Sequence, residues 1–262
     1  MFFGAVVYCE WFIYLVQQQY WTDLECSEHD STCTKILFIA DPQIQGDLAV
    51  PPPLSYLFNW DSDRFLKSTF KVVVNYFKPD VLVYLGDLMD EGSIATLPKF
   101  HAYVKRLMNI FELWGKLFIY KKNYIFNVWL PGDNDIGGEN EPISHVKLNE
   151  FEKVFTQPSV LSFNNVSLYK VNAITYTYPP KDDQINTEKN FKIVVSHYPV
   201  TMRIMFSKKV RQFSSFISFE DDILYEIYVP TCSYRMGTSN IGYGAAILGK
   251  LRTFAHVYSA RK

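Results

Sequence analysis

A layered α/β fold is what this sequence predicts, and three observations predict it. Short apolar runs of strand length, at 35–40, 81–85, 125–130 and 191–195, each lead into Asp or His. Segments of helical period lie between the first of them. Beyond residue 155 the pattern changes to hairpins, with a turn at Asn164-Asn165 and further strands around 224–229 and 243–248. Strands alternating with helices, then hairpins, imply sheets covered by helices.

The 262 residues suit one large domain with short additions. Hydrophobic residues are 48% and aromatics 17%, enough for a substantial core, and a net charge of −1 leaves no electrostatic footprint for nucleic acid. Cys26 and Cys33 either close a small disulfide in an oxidising lumen or remain two thiols in a loop.

Residues 2–16 are almost wholly apolar, broken by Glu10. Extended through Trp21, an interfacial anchor, they reach the length of a membrane span, so 1–21 are expected as an N-terminal membrane helix. A buried or peripheral helix is the alternative. A polar linker, 22–34, precedes a domain at 35–250 and a tail at 251–262. The three prolines 51–53 read as a loop. Asp61, Ser62 and Asp63 offer an N-cap to a helix with Phe65, Leu66, Phe70, Val73 and Phe77 on one face, ending at Lys78-Pro79. Further helices are expected at 97–117 and 144–155. Asn165-Val166-Ser167 is a glycosylation sequon, usable only in a lumenal domain.

The stretch 80–92 organises the chemistry. Its apolar run stops at Gly86, which turns the chain without a Cβ in the way, and Asp87 and Asp90 follow. A carboxylate at the end of a buried strand is costly unless a cation or donors receive it. That edge is also where open α/β sheets hold ligands. Asp41, Asp133 and His197 repeat the pattern, with Gln43 as a neutral oxygen ligand. Two carboxylates 4 Å apart repel by about 4 kcal/mol at an effective dielectric near 20, so converging acids call for cations. Two divalent ions can clamp the attacking and leaving oxygens of a phosphoester displacement. Asp90 either orients a ligand or caps a helix. Asp135 either supports the site or merely makes a turn. Arg235 meets an anionic substrate or only solvent.

Asp41-Pro42-Gln43, Gly86-Asp87-Leu88-Met89-Asp90, Gly132-Asp133-Asn134-Asp135 and Ser196-His197, in that order, resemble the motifs of the calcineurin-like metallophosphoesterases. The Asp-Pro-Gln form, the apolar N-terminus and residues 229–237 more narrowly resemble a branch of membrane phosphodiesterases that remove ethanolamine-phosphate from GPI-anchor glycans. The resemblance implies a four-layer β-sandwich flanked by helices and a centre of two divalent metal ions, Mn2+ by expectation. It also implies a lumenal domain on the endoplasmic reticulum or Golgi membrane, acting on a GPI-anchor glycan or other phosphodiester and aiding transport of GPI-anchored proteins. By position, Asp41 and Gln43 serve one ion, Asp87 bridges, and Asp133 and His197 serve the other. Asn134 and Asp135 stand at the catalytic positions, with Asp90 behind the ligands.

Two departures accompany the resemblance. Asn134 stands where the family has a histidine that contacts the phosphate, and an amide donates no proton of useful pKa. The family's late Gly-His-x-His has no counterpart; Glu220, Asp221 and Asp222 lie there and read as a solvated turn. Two readings therefore stay open, a hydrolase or a catalytically lapsed factor that binds GPI-linked cargo. A shortened form of a longer chain would account for the missing histidines equally well.

Overall fold

The computed structural model describes residues 4, 7–8, 12–19, 21, 24–27, 30–111, 119–120, 123–180, 191–199, 214–220, 223–249 and 252–261. Its elements in order are α1 (Ile13–Gln18), β1 (Thr34–Ile39), α2 (Leu54–Phe77), β2 (Val81–Tyr84) and α3 (Leu97–Ile110). A small hairpin of β3 (Ile119–Tyr120) and β4 (Asn123–Tyr124) leads to β5 (Phe126–Trp129), α4 (Asp133–Ile136) and α5 (His145–Val154). Seven strands complete the chain: β6 (Val160–Phe163), β7 (Val166–Val171), β8 (Phe191–Ser196), β9 (Ser214–Glu220), β10 (Ile223–Val229), β11 (Asn240–Leu248) and β12 (Arg252–Arg261).

Two five-stranded sheets form, in the orders β12-β11-β1-β2-β5 and β10-β9-β8-β7-β6. β1, β2 and β5 are mutually parallel, so their C-terminal ends emerge on one edge. The pleat divides their side chains between two cores. Ile36, Phe38, Val81, Val83, Leu85 and Val128 meet Val166, Leu168, Ile193 and Val195 of the second sheet. Leu37, Ile39, Leu82, Tyr84 and Trp129 face the other way, onto α2, α3 and α5. Both faces are covered, which is why these strands read as unbroken apolar runs. Tyr84 stacks on Trp129 at 4.0 Å between ring centroids, and Phe155 packs on Trp129 at 4.7 Å. The layers established among the described residues are thus helix, sheet and sheet, without a fourth.

Several boundaries differ from expectation. α2 begins at Leu54, straight after the prolines, because Pro is tolerated in a first helical turn. Asp61, Ser62 and Asp63 therefore lie inside the helix and do not cap it. Asp61 accepts the Tyr234 hydroxyl at 2.6 Å, and Asp63 pairs with Arg106 at 2.7 Å. The C-terminal end is as read: Lys78 takes a left-handed φ of 51° ahead of Pro79. α3 is helical to Ile110, and the rest of its expected length lies outside the described residues. The expected tail is the edge strand β12, antiparallel to β11. Cys26 and Cys33 form a disulfide. Among the described residues no helix is long and apolar enough to cross a membrane; α1 has six residues, and much of the remaining N-terminal stretch lies outside them. Asp221 and Asp222 also lie outside the described residues.

Candidate metal centre

Each strand end delivers its side chain by a backbone device. Asp41, Gln43 and Asp87 all adopt positive φ, at 46°, 40° and 51°. For residues with a Cβ this conformation is strained, and it turns the chain back so that the carboxylates point across the sheet edge. Gly86, at φ 101°, allows the β2 loop to pass under His197: a Cβ there would come within 2.7 Å of Nδ1. Asp133 opens the short helix α4, and His197 follows β8 directly.

The six residues Asp41, Gln43, Asp87, Asp133, Asn134 and His197 line one cavity of about 190 Å3. A carboxylate oxygen from each of Asp41 and Asp87 and a ring nitrogen of His197 lie within 4.8 Å of one another. His197 Nε2 is 3.0 Å from Asp133 Oδ1 and 3.5 Å from Asp87 Oδ1. Its Nδ1 sits 2.9 Å from the Leu85 carbonyl, which can only accept, so Nδ1 carries the proton and Nε2 is left to the acids. Gln43 and Asn134 each donate an amide to Asp87 Oδ2, at 2.8 and 2.7 Å. A larger, more apolar cavity of about 400 Å3 opens between β5, α5 and β7, away from this constellation.

The electrostatics are those of a cation site. Burial lifts the Asp87 carboxyl above its usual range, with His197 opposing and Asp133 adding to the rise. Burial opposes charge on Asp133 too, yet the hydrogen bond from His197 and its attraction hold that carboxyl below the ordinary value. Burial alone would depress His197, but Asp87, Asp133 and Asp41 push it up to about 10. One protonated imidazole thus offsets only part of the charge of three buried acids. The donors are hard oxygens plus one imidazole nitrogen, the set that suits Mn2+ or Mg2+, and the residues fit divalent cations. Asp41, Asp87 and His197 are close enough to share one ion, with Asp133 beside His197.

Asp135 and Asp90 do not line this cavity. Asp135 is fully buried and accepts three backbone N–H groups, from Gly132 at 2.9 Å, Leu88 at 3.1 Å and Met89 at 2.9 Å. It ties the β2 loop to the β5 loop and is a positioning residue, because no face of it reaches the cavity. Burial and the Asp87 charge raise its carboxyl to about 7 despite those donors. Asp90 pairs with Arg235 at 2.8 Å, while Arg235 also donates to the Gln43 carbonyl at 3.0 Å. Arg235, its side chain 24% exposed, is thus held by protein partners and braces the first loop. Thr231 does the same from its hydroxyl to the Asp41 carbonyl at 3.0 Å. Tyr198, Glu139, Asn140 and Met236 also line the cavity; Met236 belongs to the 229–237 run, Glu139 and Asn140 carry no motif signal, and Tyr198 adjoins His197 and hydrogen-bonds Asp133.

Comparison with known proteins agrees with this geometry. A family model described as calcineurin-like phosphoesterase matches residues 34–224, well over half of the chain. The chain is similar to Metallophosphoesterase 1 of Cricetulus griseus, 24% identical over 176 residues, and of Danio rerio, 27% identical over 179 residues. It is also 24% identical over 174 residues to the Metallophosphoesterase 1 homolog of Drosophila melanogaster. These alignments cover 65–66% of this chain and 42–43% of each relative, so the chain matches under half of their length. The matched range takes in all four strand ends that gather the acids and the imidazole, and the chain belongs to the calcineurin-like phosphoesterase family.

Proposed function

We propose that this chain is a metal-dependent phosphodiesterase of the secretory pathway that removes ethanolamine-phosphate from GPI-anchor glycans and so aids the transport of GPI-anchored proteins. The observation that carries the reading is the convergence of Asp41, Asp87, Asp133 and His197 on one buried cavity from four separate strands. Asp41, Asp87, Asp133 and His197 would hold divalent ions, Mn2+ by preference, with Gln43 turning its amide oxygen to help. When bound, such ions supply Lewis acidity and lower the pKa of water. The protein's own part is positional. Asp135 fixes the two central loops against each other, Arg235 and Thr231 fix the first loop, and Tyr198 orients Asp133. Asn134 can donate a hydrogen bond to a phosphoryl oxygen but cannot protonate a leaving alkoxide, so the leaving group departs on solvent protons. The Cys26–Cys33 disulfide and the sequon at Asn165 support a lumenal placement.

Hydrolysis of bis(p-nitrophenyl) phosphate with and without added Mn2+ tests the reading. Metal-stimulated turnover that Asp87→Asn abolishes supports it, and equal rates in both proteins would remove it. A second reading, a family member that binds GPI-linked cargo without hydrolysing it, is favoured by one observation. Both neutral amides, Gln43 and Asn134, are spent on Asp87, where the second family imidazole would stand for Asn134. Two bound ions per chain speak for catalysis, and one or none for the binding role.

A further inference from the structure

The site does not account for the most apolar surface among the described residues. Residues 48–60, Leu-Ala-Val-Pro-Pro-Pro-Leu-Ser-Tyr-Leu-Phe-Asn-Trp, contain no charged residue. They form the proline-rich approach to α2 and its first two turns, and they stand in solvent. Leu54 is 58% exposed, Tyr56 68%, Leu57 59% and Trp60 59%, with Leu48 and Phe58 above 40%. Single exposed hydrophobics are ordinary, whereas a contiguous patch of this kind marks a contact surface.

The rest of the helix says what it contacts. Leu57, Trp60, Arg64, Lys67 and Lys71 follow at steps of three and four residues and so share one face. Its first half is aromatic and aliphatic, and its second half is cationic. Arg64 lies over the Trp60 ring at 4.7 Å and joins the two halves. The helix has two acids: Asp61 receives the Tyr234 hydroxyl and also pairs with Arg64 at 3.4 Å, and Asp63 holds Arg106. Trp and Tyr beside Leu and Phe, flanked by Lys and Arg, is the composition that settles at the boundary between headgroups and acyl chains. Trp21 packs edge-on against Tyr76, at the other end of this helix, at 5.1 Å.

We propose that residues 48–60 and the outer face of α2 dock on an anionic lipid bilayer, the apolar end entering the interface and Arg64, Lys67 and Lys71 meeting the headgroups. A chain of contacts leads from the inner side of α2 to the metal cavity. Tyr234 packs on Phe65 of α2 at 5.0 Å, its neighbour Arg235 braces Gln43, and Met236 lines the cavity itself.

Flotation of the full chain with vesicles of phosphatidylcholine, and of phosphatidylcholine mixed with phosphatidylserine, tests this surface. The exposed pairs Leu57→Ser/Trp60→Ser and Lys67→Glu/Lys71→Glu are expected to leave the fold intact by circular dichroism. The first pair should weaken binding to both vesicles about tenfold, and the second should weaken it about tenfold on the anionic vesicles alone. Unchanged flotation of both variants would overturn the proposal, since the N-terminal stretch would then carry the binding. Self-association without vesicle binding, abolished by Leu57→Ser/Trp60→Ser, would overturn it in favour of a second copy. Vesicle binding is read without catalysis, so a chain that floats but hydrolyses nothing refutes the proposed activity and leaves this surface standing.

Discussion

Gly132→Ala is the most demanding test of the loop geometry, because two physical effects predict opposite signs for it. Gly132 has φ −105° and ψ 178°, an extended conformation that alanine adopts freely. Backbone entropy alone would make the substitution stabilising by about 0.4–1 kcal/mol, since alanine has fewer unfolded conformations to lose. The tertiary contact says the reverse. A Cβ at Gly132 would lie 2.8 Å from Asp87 Cγ and closer still to Asp87 Oδ1 and its backbone N. The backbone atom cannot swing aside, for the Asp87 loop is pinned by Asn134 N–H on Oδ1 at 3.0 Å and by the Asp135 clamp on Leu88 and Met89. Relief requires the two loops to part by an appreciable fraction of an ångström, at about 1–3 kcal/mol for overpacking. A net loss of about 1–2 kcal/mol in urea unfolding is expected. Metal coordination tolerates only about 0.2 Å of ligand displacement, so Mn2+ affinity by calorimetry should also fall, by about tenfold to a hundredfold. A variant as stable as the parent, with unaltered Mn2+ affinity, would refute the close approach of these loops.

Two further outcomes follow from other parts of the molecule. Burial in the wall of the 400 Å3 cavity lowers the Lys170 ammonium to about 8. A depressed folded pKa means the charged form is disfavoured: the stability this group contributes is present above its unfolded value and lost as pH falls through 8. Lys170→Met should therefore gain about 1–2 kcal/mol at pH 7, discounted for partial exposure, and the gain should shrink at higher pH; urea midpoints at the two pH values check it. If the domain is lumenal, expression through the secretory pathway should add a glycan at Asn165, removed by Asn165→Gln and read as a shift on electrophoresis.

What the sequence disclosed was set by where periodic signals are strong. The buried parallel strands announce themselves because Leu37, Val83 and Val128 sit between two covering layers, leaving no polar face to break the run. The strand-end acids were legible for the same reason, since a charge directly after such a run needs a partner. The start of α2 was not. Three prolines look like a loop, and Asp61-Ser62-Asp63 mimics a cap, whereas those acids are spent on tertiary partners 43 and 173 residues away. Arg235 and Thr231 were hidden likewise. They act on backbone carbonyls of the first loop from about 190 residues downstream, and no local pattern encodes that pairing. Asp135 shows the limit of reading by motif. Its place in the Gly-Asp-Asn-Asp run pointed to catalysis, but only the fold reveals three N–H donors closing around it.

The charge balance of the centre gives a last, quantitative expectation. Asp41, Asp87 and Asp133 bring three negative charges, and both neighbouring donors, Gln43 and Asn134, are neutral amides that titrate nowhere near neutrality. His197 is therefore the group whose proton a metal must displace. Its pKa, raised to about 10 by its acidic neighbours, means that the imidazolium stabilises the fold fully below about pH 6.5 and that this contribution is lost as pH rises through 10. A metal needs the neutral ring, so binding at pH 7–8 should release close to one proton per chain, and affinity should climb with pH up to about 10. Calorimetry in buffers of different ionisation enthalpy counts that proton. In His197→Gln the release should fall even where some metal still binds to the three acids, the remainder coming from Asp135, whose carboxyl sits at about 7. A parent protein that takes up Mn2+ with no proton release, or a His197→Gln variant that releases as many as the parent, would show that this imidazole is not charged by its acidic neighbours, and the electrostatic account of the centre would fail.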